Sequence, residues 1–182
     1  MRRFTVPAVL IVMAVVLTAG IAWTQTVRIV VDAGDYTSIK PSMVRTSTTS
    51  SAVAEGTFIQ IPPRRPRPEE ETGPTDDGNA VYRVNVPTAG TYRLWARTWW
   101  YDSCGNSFFI VINDRPATYI EDATYQTWHW VRGPQVQLNA GTNTIRVQNR
   151  EDGARLDQFM LTNNARYVPT RIEARTPQYI VK

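Results

Sequence analysis

Apolar and polar residues alternate with a period of two through much of this chain. The alternation is clearest in 80–86 and in 91–97, where Tyr92, Leu94 and Ala96 fall on one side of the pattern. This period places successive side chains on opposite faces of an extended segment. Each segment therefore predicts a strand with one covered face.

Other short runs, rich in β-branched and aromatic residues, predict further strands. The polar stretch 46–51 is predicted to be a loop, and 36–44 an irregular strand. The remaining predicted strands are 27–31, 57–61, 108–112, 117–120, 127–131, 136–138, 142–148 and 156–162. Turn residues separate these runs at intervals of roughly 8–12 residues. Because no segment after residue 22 has the period of an amphipathic helix, the sequence predicts an all-β sandwich or barrel.

The N-terminus has the pattern of a secretory signal peptide. A basic start, Met1-Arg2-Arg3, precedes the apolar run 4–17 and small residues up to Ala22, after which we expect cleavage. An uncleaved N-terminal anchor is the alternative, because the apolar stretch approaches the roughly 20 residues that span a bilayer. Either way the module is predicted to lie outside the cell or at its surface. The predicted division is a signal peptide or anchor at 1–22, a module at 23–169 and a C-terminal extension at 170–182.

Residues 62–79 interrupt the strand pattern with prolines and with charges of both signs. We predict a surface loop that exceeds the roughly 12–15 residues beyond which structureless loops become uncommon. A solvated loop is the simpler interpretation, since charged runs usually face water. A functional loop is the alternative.

The net charge argues against nucleic acid as a partner. The formal charge of the whole chain is +4, and loss of Arg2 and Arg3 with a signal peptide leaves 18 basic against 16 acidic residues. Charges of this number, scattered along the chain, do not form the basic stripe that nucleic-acid binding requires. A membrane is expected to be a partner only through an uncleaved N-terminal segment.

The order of several short motifs resembles a known family. The motifs are Asp32-Ala-Gly-Asp-Tyr36, Gly56-Thr-Phe-Ile-Gln-Ile-Pro62, Ala80-Val-Tyr-Arg-Val-Asn-Val-Pro87, Ala89-Gly-Thr-Tyr-Arg-Leu-Trp-Ala-Arg97, Asn106-Ser-Phe-Phe109, Trp128-His-Trp130, Leu138-Asn-Ala-Gly-Thr-Asn-Thr-Ile145 and Leu156-Asp157. In this order they resemble the carbohydrate-binding modules of the family 6 and family 35 type, with a galactose-binding-like jelly roll. The resemblance covers Val27 to about Pro169 and implies a jelly-roll β-sandwich of two antiparallel sheets.

The resemblance also implies where ligands bind. Such modules typically hold sugar in loops at one end of the sandwich, and some have a second site on a sheet face. A structural calcium commonly lies near the first strand, bound by a Glu after the Ala and by an Asp near the last strand. Here Gly34 replaces the Glu, which leaves Asp32, Asp35 and Asp157 as the calcium-ligand candidates. Calcium prefers oxygen donors of this kind, and no other cofactor is expected.

The aromatic loop 99–106 carries side chains that a simple turn does not need. Sugars offer apolar C–H faces and a polar rim, so a sugar site combines flat aromatic rings with placed polar groups. We predict that this loop meets the loop 150–153 at one end of the sandwich. The ligand-binding candidates are Trp99, Trp100, Tyr101, Asp102, Asn106, Trp128, Trp130, Arg150, Glu151 and Asp152.

Structural roles compete with these assignments. Trp128 and Trp130 lie two apart on one strand face, so both are equally well explained as core residues. Of the adjacent Trp99 and Trp100, one faces inward if the strand continues, which leaves the other as the better ligand candidate. Arg150 and Glu151 are alternatively a simple ion pair within a turn.

Cys104 is the only cysteine, which excludes an intramolecular disulfide. We expect it to be a small buried residue at the base of a loop, since free cysteines are among the most buried residues. An intermolecular bridge and a catalytic thiol are the alternatives.

The sequence predicts a protein that is not an enzyme. His129 is the only histidine, so a catalytic triad or a multi-histidine metal site has little to draw on. The carboxylates Asp102, Glu151, Asp152 and Asp157 lie in or near polar turns, as acids do in many secreted β-proteins. We therefore predict a secreted, non-catalytic module that binds a glycan or polysaccharide.

The C-terminal extension supplies the alternative function. It ends in an apolar strand-like tip, 179–181. The tip either folds back onto its own sheet or adds to the exposed edge of a neighbour. In the second case the chain is a structural or adhesive subunit that self-assembles as a homo-oligomer.

Overall fold

The computed structural model describes residues 25–63 and 78–182, which form two antiparallel sheets of six strands each. The predicted leader at 1–22 and all but the ends of the predicted loop 62–79 lie outside the described residues. Helical structure in the described residues consists of the short 3-10 turns Ala33–Asp35, Ala54–Gly56 and Pro177–Tyr179. The predicted all-β sandwich is therefore confirmed. None of the helical turns described is long enough to cross a bilayer.

Most consecutive strands belong to different sheets. Sheet I contains β1 (Arg28–Asp32), β3 (Val44–Ser47), β4 (Thr57–Gln60), β6 (Gly90–Trp99), β9 (His129–Leu138) and β11 (Arg155–Thr162). Sheet II contains β2 (Ser38–Lys40), β5 (Asn79–Val86), β7 (Ser107–Ile112), β8 (Thr118–Glu121), β10 (Gly141–Gln148) and β12 (Ile180–Val181). The order is β3-β4-β11-β6-β9 in sheet I, where β1 also pairs with β11. It is β12-β5-β10-β7-β8 in sheet II, where β2 also pairs with β5. The consecutive pairs β3–β4 and β7–β8 are the exceptions, each within one sheet.

The core lies between the sheets and follows the alternation in the sequence. In β6, Tyr92, Leu94 and Ala96 are buried in the main apolar cluster. Tyr82 of β5 meets Phe159 of β11 edge to face, with ring centroids 5.0 Å apart. The Tyr82 hydroxyl donates to the backbone oxygen of Ala33 at 2.8 Å, so this buried phenol keeps a hydrogen bond.

Two strand predictions need correction. The chain between 36 and 51 forms β2 and β3, which belong to different sheets, instead of one irregular strand and a loop. Because β3 is an edge strand, it carries polar residues that conceal it in the sequence. The predicted strands 127–131 and 136–138 are one strand, β9. Pro134 is tolerated there because β9 is also an edge strand.

Several connections meet at one end of the sandwich, which we call the loop end. They are β2–β3, β6–β7, β8–β9 and β10–β11, together with Gly78 before β5. The Gly78 N–H donates to the Pro41 oxygen at 2.9 Å, and the Asn149 N–H donates to the Gly78 oxygen at 2.7 Å. These bonds tie the turns at this end to one another.

The C-terminal extension packs on its own chain. It lies along β1 of sheet I, where the Thr176 N–H donates to the Val30 oxygen at 3.1 Å. It then joins sheet II, where β12 pairs with β5 through Ile180 and Val84. The structure thus has the intramolecular arrangement of the tip.

Candidate functional site

The aromatic loop and the β10–β11 turn lie against each other at the loop end, as the sequence predicts. The Asn106 N–H donates to Glu151 Oε2 at 3.0 Å, and the Ser107 hydroxyl donates to the same oxygen at 2.5 Å. Two glycines permit the close approach. A Cβ on Gly105 would lie 2.4 Å from the Asp152 oxygen, and Gly153, with φ of +84°, faces the Tyr101 side chain.

Asp122, which the sequence analysis missed, fixes the neighbouring β8–β9 loop. Its carboxylate accepts hydrogen bonds from Trp100 Nε1 at 2.9 Å and from the Thr124 N–H at 2.9 Å. It also lies 3.0 Å from His129 Nε2. The only sequence signal was local, an Asp two residues before a Thr, which is typical of an Asx turn. The only histidine therefore supports this loop.

Trp100 is a correction to the predicted ligand set. Its side chain is fully buried and packs against Phe108 with ring centroids 5.5 Å apart. Its ring therefore has no face available to a ligand. Trp99 points to the opposite side of the strand and is half-buried. The expectation that one of the two tryptophans faces inward is confirmed.

A set of aromatic and arginine side chains covers the outer face of sheet I next to the loop end. We call it the aromatic platform, and it consists of Phe58, Arg97, Trp99, Trp128 and Arg155. The Arg155 guanidinium lies 3.9 Å from the centroid of the Trp99 ring and 5.5 Å from that of Phe58. Phe58 meets Trp128 edge to face at 5.6 Å, and Arg97 lies 5.7 Å from the Trp128 centroid.

The platform leaves two rings open to solvent. Trp99 and Trp128 are half-buried, whereas Phe58, which meets the Trp128 ring, is only 7 % exposed. Trp128 is therefore not a core residue. Phe58, Arg97 and Arg155 were not predicted as site residues, because strand alternation reveals a shared face only when the pairing of strands is known.

Arg155 is the cation at the surface of the platform. Burial lowers its pKa from the ordinary arginine value, and its Nε is buried without a hydrogen-bond partner. Within 25–63 and 78–182 no carboxylate forms an ion pair with it. A cation over an indole ring is stabilised by the ring quadrupole, by about 0.5–2 kcal/mol. This guanidinium is thus placed to meet oxygen atoms of a ligand.

One member of the platform, Arg97, forms a buried ion pair. Arg97 Nη1 contacts Asp157 Oδ2, and the Ala54 N–H donates to Asp157 Oδ1 at 2.8 Å. Burial raises the pKa of Asp157 to about 6, because loss of solvation outweighs the attraction of Arg97 and the hydrogen bonds to the carboxylate. Arg97 is thereby held under the Trp128 ring.

Four other predicted ligand residues lie in the aromatic loop and in the β10–β11 turn. Tyr101 and Asp102 are half-buried in the aromatic loop, where Asp102 Oδ1 accepts from the Cys104 N–H at 3.0 Å. Asn106 Nδ2 donates to the backbone oxygen of Asp122 at 2.7 Å. This amide therefore also supports the β8–β9 loop. Asp152 is half-buried in the β10–β11 turn.

Arg150 and Glu151 form the turn ion pair that was the alternative to a ligand role. Arg150 Nη1 lies 2.8 Å from Glu151 Oε1. The Arg150 guanidinium also lies 5.0 Å from the centroid of Tyr119, a side chain that is 49 % exposed on sheet II. Trp130 lies farther from the loop end, where its Nε1 donates to the Arg171 oxygen at 2.7 Å.

Cys104 is exposed, so the prediction that it is buried is wrong. It lies in a turn that is closed by a hydrogen bond from the Gly105 N–H to the backbone oxygen of Asp102, at 3.2 Å. This turn places Gly105 against the β10–β11 turn and leaves the Cys104 thiol exposed to solvent.

The predicted calcium ligands have other partners. Asp35 accepts two hydrogen bonds from Arg175, each at 2.6 Å, and Asp32 Oδ1 accepts from Gln158 Nε2 at 2.7 Å. Asp157 is bound by Arg97. Calcium takes about six to eight oxygens at about 2.3–2.6 Å. In 25–63 and 78–182 no three His, Cys, Asp or Glu side chains are arranged to hold a metal ion, so these residues as placed do not fit calcium.

Comparison with known proteins supports the fold. The chain is similar to a family 35 carbohydrate-binding module from Clostridium thermocellum, at 22 % identity and a TM-score of 0.57, covering 72 % of this chain and 96 % of that one. It is similar to the carbohydrate-binding module CBM6cm-2 of lichenase 5A from Cellvibrio mixtus, solved in complex with cellotriose, at 17 % identity and a TM-score of 0.54. That comparison covers 74 % of this chain and 96 % of that one.

Larger proteins also contain this fold. The GH26-CBM35 β-(1,4)-mannanase from Podospora anserina matches with 18 % identity and a TM-score of 0.57, covering 82 % of this chain. The chain spans only 29 % of that enzyme. No protein-family model and no curated protein matches the sequence. The chain thus has the fold of family 35 and family 6 carbohydrate-binding modules, as the sequence resemblance implied.

Proposed function

We propose that this chain is a carbohydrate-binding module that holds a glycan against the aromatic platform. The observation that carries the proposal is the half-exposed pair Trp99 and Trp128 beside the Arg155 guanidinium. Indole rings offer a flat apolar surface to the C–H face of a sugar, and the guanidinium offers several hydrogen-bond donors to its oxygens. Carbohydrate binding by proteins of the same fold adds support to the proposal.

The position of the platform also suits an extended ligand. It lies on the part of the outer face of sheet I that adjoins the loop end, where a polysaccharide chain can run across β4, β11 and β6. Tyr101 extends the aromatic surface toward that end, with its ring centroid 6.2 Å from that of Trp99. Asp102, which is half-buried in the same loop, is the proposed polar contact there.

We propose binding without catalysis. Glu151 accepts hydrogen bonds from the Asn106 N–H and from Ser107, Asp122 supports the β8–β9 loop, and Asp157 is fully buried. A glycosidase needs two carboxyl groups that both reach the glycosidic bond. These three acids are committed to structure instead. The leader pattern at 1–22 supports a place of action outside the cell.

Affinity electrophoresis through gels containing different polysaccharides tests the proposal. The wild-type chain is expected to be retarded by at least one polysaccharide, and Trp99→Ala and Trp128→Ala are each expected to weaken that binding about tenfold or more, as loss of a central contact residue does. Tyr119→Ala is the matched control, because this exposed aromatic residue lies on sheet II. Retention of full affinity by both tryptophan variants would remove the platform as the site.

A further inference from the structure

Three carboxylates face a charged cleft beside the end of β1. Asp32, Asp35 and Glu55 line a cavity of about 360 Å³ together with Arg175 of the C-terminal extension. A second cavity, of about 320 Å³, is also lined by Asp32, Glu55 and Arg175. The Arg175 side chain therefore lines both cavities, which share Asp32 and Glu55.

The Arg175 guanidinium is bound at two points. Its Nε and Nη2 donate to the two oxygens of Asp35, each at 2.6 Å, and Nε also lies 3.8 Å from Asp32 Oδ2. Paired charge-assisted bonds of this kind are about twice as strong as neutral ones. The hydrogen bond to Asp35 raises the pKa of Arg175, and burial raises the pKa of Asp32. The raised pKa of Arg175 means that the neighbouring carboxylates stabilise its positive charge.

The same contact fastens the end of the chain. Next to Arg175, the Val30 N–H donates to Thr176 Oγ1 at 2.8 Å, and the Thr176 N–H donates back to the Val30 oxygen. The Glu173 N–H donates to Gln158 Oε1 at 3.0 Å. These bonds hold the extension along β1 and β11, and they place Arg175 directly over the carboxylates.

We infer that the Arg175 guanidinium takes the place of a bound divalent cation at the end of β1 and fastens the C-terminal extension to the sandwich. The inference rests on the disagreement between the calcium ligands that the sequence resemblance implied and the partners that they have. Asp35 gives both oxygens to the Arg175 guanidinium, and its Oδ1 also lies 3.6 Å from Lys182 Nζ. The inference does not depend on the proposed glycan binding.

Thermal unfolding in millimolar calcium or in EDTA tests this inference. The wild-type chain is expected to unfold at the same temperature in both. Arg175→Ala is expected to lower the Tm in EDTA by about 2–6 °C, since it removes a partly buried bidentate pair. Calcium is expected to restore part of that loss, and terbium luminescence is expected to appear only in the variant.

Two further variants test whether the loss of stability in Arg175→Ala comes from the loss of this particular guanidinium. Arg171→Ala, in the same extension, is the matched control because this arginine is exposed. It should leave the Tm and the calcium response unchanged. Arg175→Lys keeps the charge without the planar fork, so its Tm should lie between those of wild type and Arg175→Ala. A calcium-dependent rise in the wild-type Tm, an unchanged Tm in Arg175→Ala, or no terbium signal in that variant would overturn the inference.

Discussion

The buried pair Arg97 and Asp157 makes stability depend on pH in a direction that can be calculated. Asp157 is fully buried, and its pKa rises from 3.8 to about 6 on folding. A group with a raised native pKa contributes stability that is fully present below its unfolded pKa and is lost as the pH rises through the native value. A pKa change of this size corresponds to a change of about 3 kcal/mol in the free energy of unfolding. This carboxyl alone should therefore lower the free energy of unfolding by that amount between about pH 4 and pH 7.

The substitution Arg97→Gln is expected to make the stability of the protein depend more steeply on pH. The attraction of Arg97 is the largest of the effects that lower the pKa of Asp157, so its removal raises that pKa further. At pH 8 the variant must bury an unpaired carboxylate, which costs about 3–5 kcal/mol. At pH 5 Asp157 is protonated, and the remaining cost is that of lost hydrogen bonds, about 1–3 kcal/mol.

Urea unfolding of wild type and Arg97→Gln at pH 5, 6, 7 and 8 measures this difference. The destabilisation by Arg97→Gln should be larger at pH 8 than at pH 5 by at least about 1.4 kcal/mol, one pKa unit of differential interaction. The double variant Arg97→Gln with Asp157→Asn is the control, because it has no ionisable group at either position and should lose the pH dependence that Asp157 contributes. An equal destabilisation at all four pH values, or a larger one at pH 5, would refute the reasoning.

Three further predictions concern the loop end. Trp100→Ala should lower the free energy of unfolding by about 3–5 kcal/mol in urea titrations, because a fully buried ring is lost; a loss under about 1 kcal/mol would contradict its core position. Gly153→Ala should destabilise by more than about 1 kcal/mol, because the new Cβ would lie 2.7 Å from Tyr101 Cβ, whereas Gly141→Ala, also at positive φ, has nothing within 4 Å and should cost less. Equal costs would contradict the close approach. Cys104 should react completely with a thiol reagent in the native protein, since it is exposed; protection until the chain unfolds would contradict that position.

Much of the fold is predictable because local alternation decides which side chains face the core. Tyr92, Leu94 and Ala96 of β6 are buried as the pattern predicts. The same alternation explains why Trp99 and Trp100 face opposite ways. The pattern fails for β3 because an edge strand needs few apolar residues, and such a strand resembles a polar loop.

The site was predicted only in part, because it depends on long-range pairing. Arg155 lies beside Trp99 because the register of β11 against β6 places them opposite each other. They are more than fifty positions apart in sequence, and no local signal joins them. Arg175 illustrates the same limit, since its partner Asp35 lies near the other end of the chain.

The central claim is that a glycan contacts the open rings of the aromatic platform. Indole N–H resonances followed during titration with a polysaccharide that retards the protein test it most directly. We predict that the resonances of Trp99 and Trp128 shift with saturation, while that of the fully buried Trp100 remains in place. Failure of every glycan tested to bind, or binding that leaves both Trp99 and Trp128 unperturbed, would contradict the claim.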